Sequence, residues 1–214
     1  KKEITISKKQ HLNIIDQLIS FIKNLKLLNE NSEWENYNIE TNIEKINYVK
    51  HKEKIVSSLL KKEELKLSWD IGSNDGHYSR IIAESRSDQV ISMDIDWHCV
   101  EQNYLFNKKN DIKNVYPLLV DLSNPSPSIG WLNNERSSIF KRIGSPDLIC
   151  CLAIMHHILN RNIPLDYFME FLSSTKKYLL IEFVPIDDPK CQEIFESRDK
   201  SFYYPSKTEF ENVF

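Results

Sequence analysis

Between residues 7 and 28 the apolar side chains Leu12, Ile15, Leu18, Ile19, Ile22 and Leu25 recur at steps of three and four. That spacing predicts a helix with one buried stripe. A second helical pattern, over 43–60, sets Ile46, Val49, Val56, Leu59 and Leu60 on or near one face. From Leu65 onward short apolar runs alternate with helical segments, the rhythm of a parallel sheet covered on both faces. Strands are predicted at 66–71, 89–94, 115–120, 147–152 and 177–184, and helices at 76–84, 97–109, 164–173, 189–197 and 207–213. The turn formers of "DLSNPSPSIGW" predict a loop after the third strand. The expected architecture is a doubly wound, Rossmann-like α/β domain over 65–214, preceded by a helical cap or lid over 1–64.

Composition narrows the partners. A chain of 214 residues can bury a full core as one large domain. Its formal charge of −3 offers no field suited to a nucleic-acid backbone. Cys99, Cys150, Cys151 and Cys191 contain no C-x-x-C pair and read as buried thiols of a reducing compartment. No metal site is expected from them. No apolar stretch is long enough to span a membrane, and the lysine-rich start lacks the apolar core of a signal peptide. The expected location is cytoplasmic and the expected substrate a small molecule.

Ligands of such a sheet sit beyond the carboxyl ends of the strands. Here those ends are acidic or otherwise polar. "WDIGSNDGHYSR" carries Asp70, Gly72 and Gly76, "MDID" carries Asp94 and Asp96, the third strand leads to Asp121, and "AIMHH" supplies His156 and His157. A dinucleotide loop needs G-x-G-x-x-G. This loop has Asn74 at the second glycine position and Asp75 inside it, and a carboxylate there repels a pyrophosphate by about 1 kcal/mol or more. NAD is disfavoured. A nucleoside ligand with a cationic centre, S-adenosylmethionine (SAM), fits better. Asp94 can accept both ribose hydroxyls, Asp121 the adenine amino group, and Asp70 can hold loop amides or the ligand's ammonium. Any one of these acids alone reads as a strand-end cap; the series carries the argument.

The blocks "WDIGSNDGHYSR", "VISMDID", "LLVDLSNPSPSIGW", "CLAIMHHI" and "IEFVPIDDP", with "EWENYNIET" upstream, resemble class I SAM-dependent methyltransferases, in particular nodulation host-specificity proteins of the NoeA type. The likeness runs from about Trp34 to the end. It implies a seven-stranded sheet closed by an antiparallel hairpin. Because the chain stops at "FENVF", the last two strands are expected to be missing and further domains of a larger protein to exist. The expected cofactor-binding set is Asp70, Gly72, Ser73, Asn74, Gly76, Asp94, Asp121 and Leu122.

Methyl transfer from a sulfonium is an in-line displacement, so alignment supplies most of the catalysis and few side chains are obligatory. A base helps when the acceptor is a hydroxyl or a protonated amine. The candidates are His157, His156 and Glu182; packing, capping or pairing are their bland alternatives. "NPSPSIGW" follows the third strand, so it is not the N-P-P-[YFW] signature of nucleic-acid methyltransferases, which follows the fourth. It reads as a rim loop with Trp131 as an anchor or a substrate-facing aromatic. Trp34, Tyr37 and Thr41 read as a lid or as a staple between helices. The expected function is methyl transfer to a small-molecule or carbohydrate-like acceptor. The alternative is an inactive SAM-binding module with an assembly or regulatory role.

Overall fold

The computed structural model describes residues 6–25, 43–61, 63–196, 198 and 202–213. The chain divides into two compact units, Lys1–Asn31 and Ser32–Phe214.

The first unit carries α1 (Lys8–Asn24), started by a capping box in which Ser7 and Gln10 satisfy each other's backbone amides. None of its residues is buried, so the stripe expected to be covered is exposed. Spacing makes the helix amphipathic; burial requires a partner surface, which periodicity does not supply.

The second unit begins with α2 (Ile43–Leu60) and then alternates: β1 (Leu65–Ile71), α3 (His77–Glu84), β2 (Ser87–Asp94), α4 (Trp97–Lys109), β3 (Val115–Leu119), α5 (Ile139–Ile143), β4 (Leu148–Cys151), α6 (Met155–Asn160), α7 (Leu165–Leu172), β5 (Tyr178–Ile181), α8 (Pro189–Phe195) and α9 (Lys207–Glu211). The five strands form one parallel sheet in the order β3-β2-β1-β4-β5. Pro117 suits the edge position of β3: without an N–H it cannot donate to a ladder, and an edge strand has one side that faces no neighbouring strand. Among the described residues no antiparallel strand extends the sheet beyond β5.

Alternation along the strands feeds two cores. Trp69, Ile71, Ile91, Met93, Ile149 and Cys151 pack with Ile139, Met155, Phe168 and Leu172 on one face. On the other, Val90, Leu148 and Cys150 meet Val56 and Leu60 of α2 and Ile82 of α3. Each fully buried aliphatic side chain contributes about 1.5–3 kcal/mol. The second face also buries polar groups, among them Ser68, Asp70, Ser79 and Ser92.

The strands and long helices lie where the pattern placed them, with ends moved by a few residues. Two short helices, α5 and α6, were not expected. A segment of five or six residues shows too little periodicity to separate a turn of helix from a loop. The fourth strand stops at Cys151 because Ala153 takes a left-handed φ of 54°, turning the chain into α6. The fifth is four residues long, its last residues beyond Ile181 leaving the sheet.

Candidate functional site

All strands are parallel, so their carboxyl ends share one edge of the sheet. The strand order reverses between β1 and β4, the place where a crevice opens in folds of this kind. The loop from β1 to α3 lies there. Gly72 has a φ of 72° and Gly76 one of 78°, both in the left-handed region that favours glycine. The amides of Gly72 and Ser73 donate to the Met93 carbonyl, tying the loop to β2. A side chain on Gly72 would meet Ile154, in the loop after β4, at 2.7 Å. One on Gly76 would fall on the Asn103 amide. Gly76, expected to suit a helical φ, is thus the more constrained of the two.

Asp70 is buried at the end of β1, and Ser79 Oγ lies 2.5 Å from its Oδ2. Burial pushes its carboxyl up to about 6, and the Ser79 hydrogen bond opposes that rise. Asp94 ends β2 as expected. Its Oδ2 accepts from the Asn74 amide at 2.7 Å and its Oδ1 from the Asp96 amide at 2.9 Å. Burial raises its carboxyl while these amides act against the rise. An ionised carboxylate offers about four acceptor positions, so capacity remains beyond these amides and that of Ile95. Asp96 caps α4 by accepting from the His98 amide. Asp121 lies two residues beyond β3 and accepts from the Ser123 hydroxyl and amide, bonds that hold its carboxyl below the usual range.

The loop sets Ser73 and Asp75 on either side of Asn74, whose amide meets Asp94. Ser73 Oγ is buried and has no hydrogen-bond partner in the structure. Leu122 packs against the core and lines a cleft of about 180 Å³ with Phe140, Ile158 and Tyr167.

The candidate bases are placed unequally. His156 is buried in α6; desolvation and then His157 push its imidazole down to about 4, and its Nδ1 has no partner. His157 is half-buried, and burial followed by Arg161 holds it below the usual histidine range. Glu182, just past β5, accepts from Tyr48 Oη at 2.5 Å and pairs with Lys52 Nζ at 2.6 Å. Its partners are residues of α2 and not the histidine or loop amide that its burial suggested. Glu53 of the same helix meets His77 Nε2 at 2.8 Å at the start of α3. Trp131 anchors nothing: it is 79% exposed. Trp34, Tyr37 and Thr41 lie outside the described residues.

Sequence reasoning missed Tyr48 and Lys52, which nothing distinguishes from neighbouring residues of a lysine-rich helix. It also missed Ile95, an exposed apolar side chain between Asp94 and Asp96. Its signal was an isoleucine between two strand-end acids. Among the described residues no group of three or more His, Cys, Asp or Glu could hold a metal, and no helix is long and apolar enough to cross a membrane.

No protein-family model matches the chain. It is similar to nodulation protein NoeA of Rhizobium meliloti (strain 1021), 28% identical over 191 residues that make up 88% of this chain and 40% of that protein. The chain therefore spans well under half the length of this relative. Among solved structures it resembles the N-methyltransferase NodS of Bradyrhizobium japonicum WM9, with a TM-score of 0.54, 10% identity and coverage of 78% of this chain and 81% of that one. It also resembles the magnesium protoporphyrin IX methyltransferase ChlM of Synechocystis PCC 6803, solved with bound SAH, with a TM-score of 0.52, 14% identity and coverage of 81% and 75%. At these identities the likeness is one of fold: the sheet is the Rossmann-like sheet of the methyltransferases.

Proposed function

We propose that this chain is a SAM-dependent methyltransferase domain acting on a small-molecule or carbohydrate-like acceptor. The observation that carries the reading is the run of acids at or just past three successive strand ends, with Asp94 tied to a loop that holds two left-handed glycines. The similarity to NoeA and the methyltransferase fold support it.

The residues fit the cofactor. Ser73 keeps a buried hydroxyl without a partner, Asp94 has acceptor capacity left beyond its backbone amides, and the carboxylates suit a ligand that is cationic and lacks phosphate. Asp94 would hold the ribose hydroxyls, Asp121 the adenine amino group, and Asp70 with the Gly72–Ser73–Asn74 backbone the ammonium end, with Gly76 and Leu122 shaping the loops. Ile95 would cover one face of the base. When bound, SAM supplies a methyl group activated by its sulfonium. The protein's part is alignment and exclusion of water. Burial and Arg161 hold His157 below the usual histidine range, which favours the neutral form a base requires, and His157 is less buried than His156. We assign it the proton of a hydroxyl or ammonium acceptor.

Calorimetric titration with SAM and with NADH tests the reading: SAM binds and NADH does not. Tight NADH binding without SAM binding overturns it. A second reading, a SAM-binding module without activity, is favoured by Glu182 having both oxygens engaged and His156 being buried. Labelled methyl transferred from SAM to any compound of a metabolite extract rules that second reading out.

A further inference from the structure

Beneath the glycine loop, on the sheet face shared with α3 and α4, runs an unbroken line of buried polar side chains. Ser79 Oγ lies 2.5 Å from Asp70 Oδ2 and 2.7 Å from Ser92 Oγ. Asn103 Nδ2 donates to Ser92 Oγ at 2.7 Å, and Asn107 Nδ2 donates to Asn103 Oδ1 at 2.8 Å. A hydroxyl has one proton, so Ser79 can donate to only one of its two neighbours. If it donates to the carboxylate, the stronger acceptor, Ser92 supplies the proton of the Ser79–Ser92 bond and every hydroxyl in the line is both donor and acceptor. Protonation of Asp70 at Oδ1 would keep the direction of these bonds and remove only the charge they point toward, whereas protonation at Oδ2, the oxygen that meets Ser79, reverses them. Ser92 then accepts from both Ser79 and Asn103, and its own proton is left buried without an acceptor in the line. Turning the Asn103 amide would provide one, but that would set its NH2 against the NH2 of Asn107. Asn107 resists turning as well. Its Oδ1 has no partner, and an NH2 in that place would bury two protons without acceptors.

We propose that Ser92 and Asn103 are positioning residues that act through Ser79 to hold Asp70 as a carboxylate for the cofactor's cationic end. The ligand half of this statement rests on the function proposed above; the effect on Asp70 belongs to the protein alone. Asn103 acts on the loop a second time, because its amide occupies the place that a side chain on Gly76 would need. The line works against burial, which favours the neutral acid, and beside other groups that face Asp70. These are Asp94 at the end of β2, Lys52 of α2, Tyr78 and Arg80 of α3, and Cys150 of β4, with Cys151 close by on the opposite face of the sheet. Hydrogen bonds in series polarise one another toward a charge at their end, so a cut two links away reaches the carboxylate.

The test is the titration of the Asp70 carboxyl carbon by NMR in the ligand-free protein. In Ser92→Ala the midpoint is expected to rise by about 0.3–1 pH unit. Ser92→Thr, which keeps the hydroxyl, is expected to restore it. Asn103→Asp, of nearly the same volume but with an acceptor at the end of the line, is expected to raise it further than Ser92→Ala. An unchanged or lowered midpoint in a folded Ser92→Ala protein overturns the proposal and leaves these residues a packing role. SAM titrations across pH supply the second readout. Ser92→Ala is expected to bind about two- to fourfold more weakly than the parent between pH 5.5 and 6.5 and equally at pH 8, where both carboxyls are ionised. A parent that binds no SAM at any pH overturns the cofactor reading, and the carboxyl titration still decides the proposal.

Discussion

Asp70 pairs a cost in stability with the ligand contact proposed for it. Its carboxyl is raised from 3.8 to about 6, so between those values the folded state holds more protons than the unfolded one. Stability contributed by this group therefore falls as pH rises through that window, and at pH 7.5 its whole cost is present. Asp70→Asn is expected to raise ligand-free stability at pH 7.5 by up to about 3 kcal/mol and to have a much smaller effect at pH 4. The same variant is expected to lose SAM affinity. Urea denaturation at the two pH values, with a SAM titration, checks the pair of effects. The glycines make a second contrast. Gly76→Ala forces a left-handed φ on alanine and drives its Cβ into Asn103, whose amide is fixed by two hydrogen bonds. Gly72→Ala forces a left-handed φ as well, but its Cβ meets the Ile154 side chain, most closely at its terminal Cδ1, 2.7 Å away. Denaturation is expected to show a loss of about 2–4 kcal/mol for Gly76→Ala and about 1–2 kcal/mol for Gly72→Ala.

At the scale of elements, the loops between strands and helices decide which acid does what. Asp94 and Asp96 are two residues apart in an identical "MDID" context, yet Asp94 closes β2 and gathers two amides while Asp96 starts α4. Asp96→Ala is expected to cost about 1 kcal/mol of stability as a lost helix cap and to leave SAM affinity within about twofold. Asp94→Ala is expected to weaken SAM binding by about 1.5–3 kcal/mol, the range for hydrogen bonds to a charged group. Calorimetry on the two variants separates a cap from a ligand contact. Equal losses of affinity would mean that the end of β2 has been assigned the wrong acid. The helix α2 shows the opposite limit of legibility. Its period marked it as a helix with one apolar face, and Val56 and Leu60 are buried accordingly. That Tyr48 and Lys52 on this helix would hold Glu182, 134 and 130 residues away, depended on how the chain folds back.

Across the whole molecule, the four cysteines report on integrity. Cys99, Cys150, Cys151 and Cys191 are all buried and none is in a disulfide. Burial raises the thiols of Cys150 and Cys151 well above the ordinary value, which removes the reactive thiolate as well as access to it. The native protein is expected to show no rapidly reacting thiol toward an aromatic disulfide reagent. All four should appear together across the urea transition of the sheet unit. A thiol that reacts in the absence of urea would mean that part of this unit opens locally.

The sequence by itself determined the alternation of strands and helices, the acids at the strand ends and the glycine turn. These follow from local periodicity and from residues whose backbone preferences are their own. Burial of the four thiols was legible too, because cysteine without a partner motif behaves as a small apolar residue. The proposed cofactor side of the site could be read from the sequence for the same reason: a parallel sheet gathers its strand ends, so residues far apart in sequence need only be strand-terminal to share one edge. Tertiary structure alone decided the rest. It exposed the apolar face of α1, placed Asn103 under Gly76, joined Ser79, Ser92 and Asn103 into one line ending on Asp70, and gave Glu182 to Tyr48 and Lys52. Each of these is a contact between side chains whose types are common and whose spacing carries no period. Only packing, which closes distances that chain order does not encode, could select them.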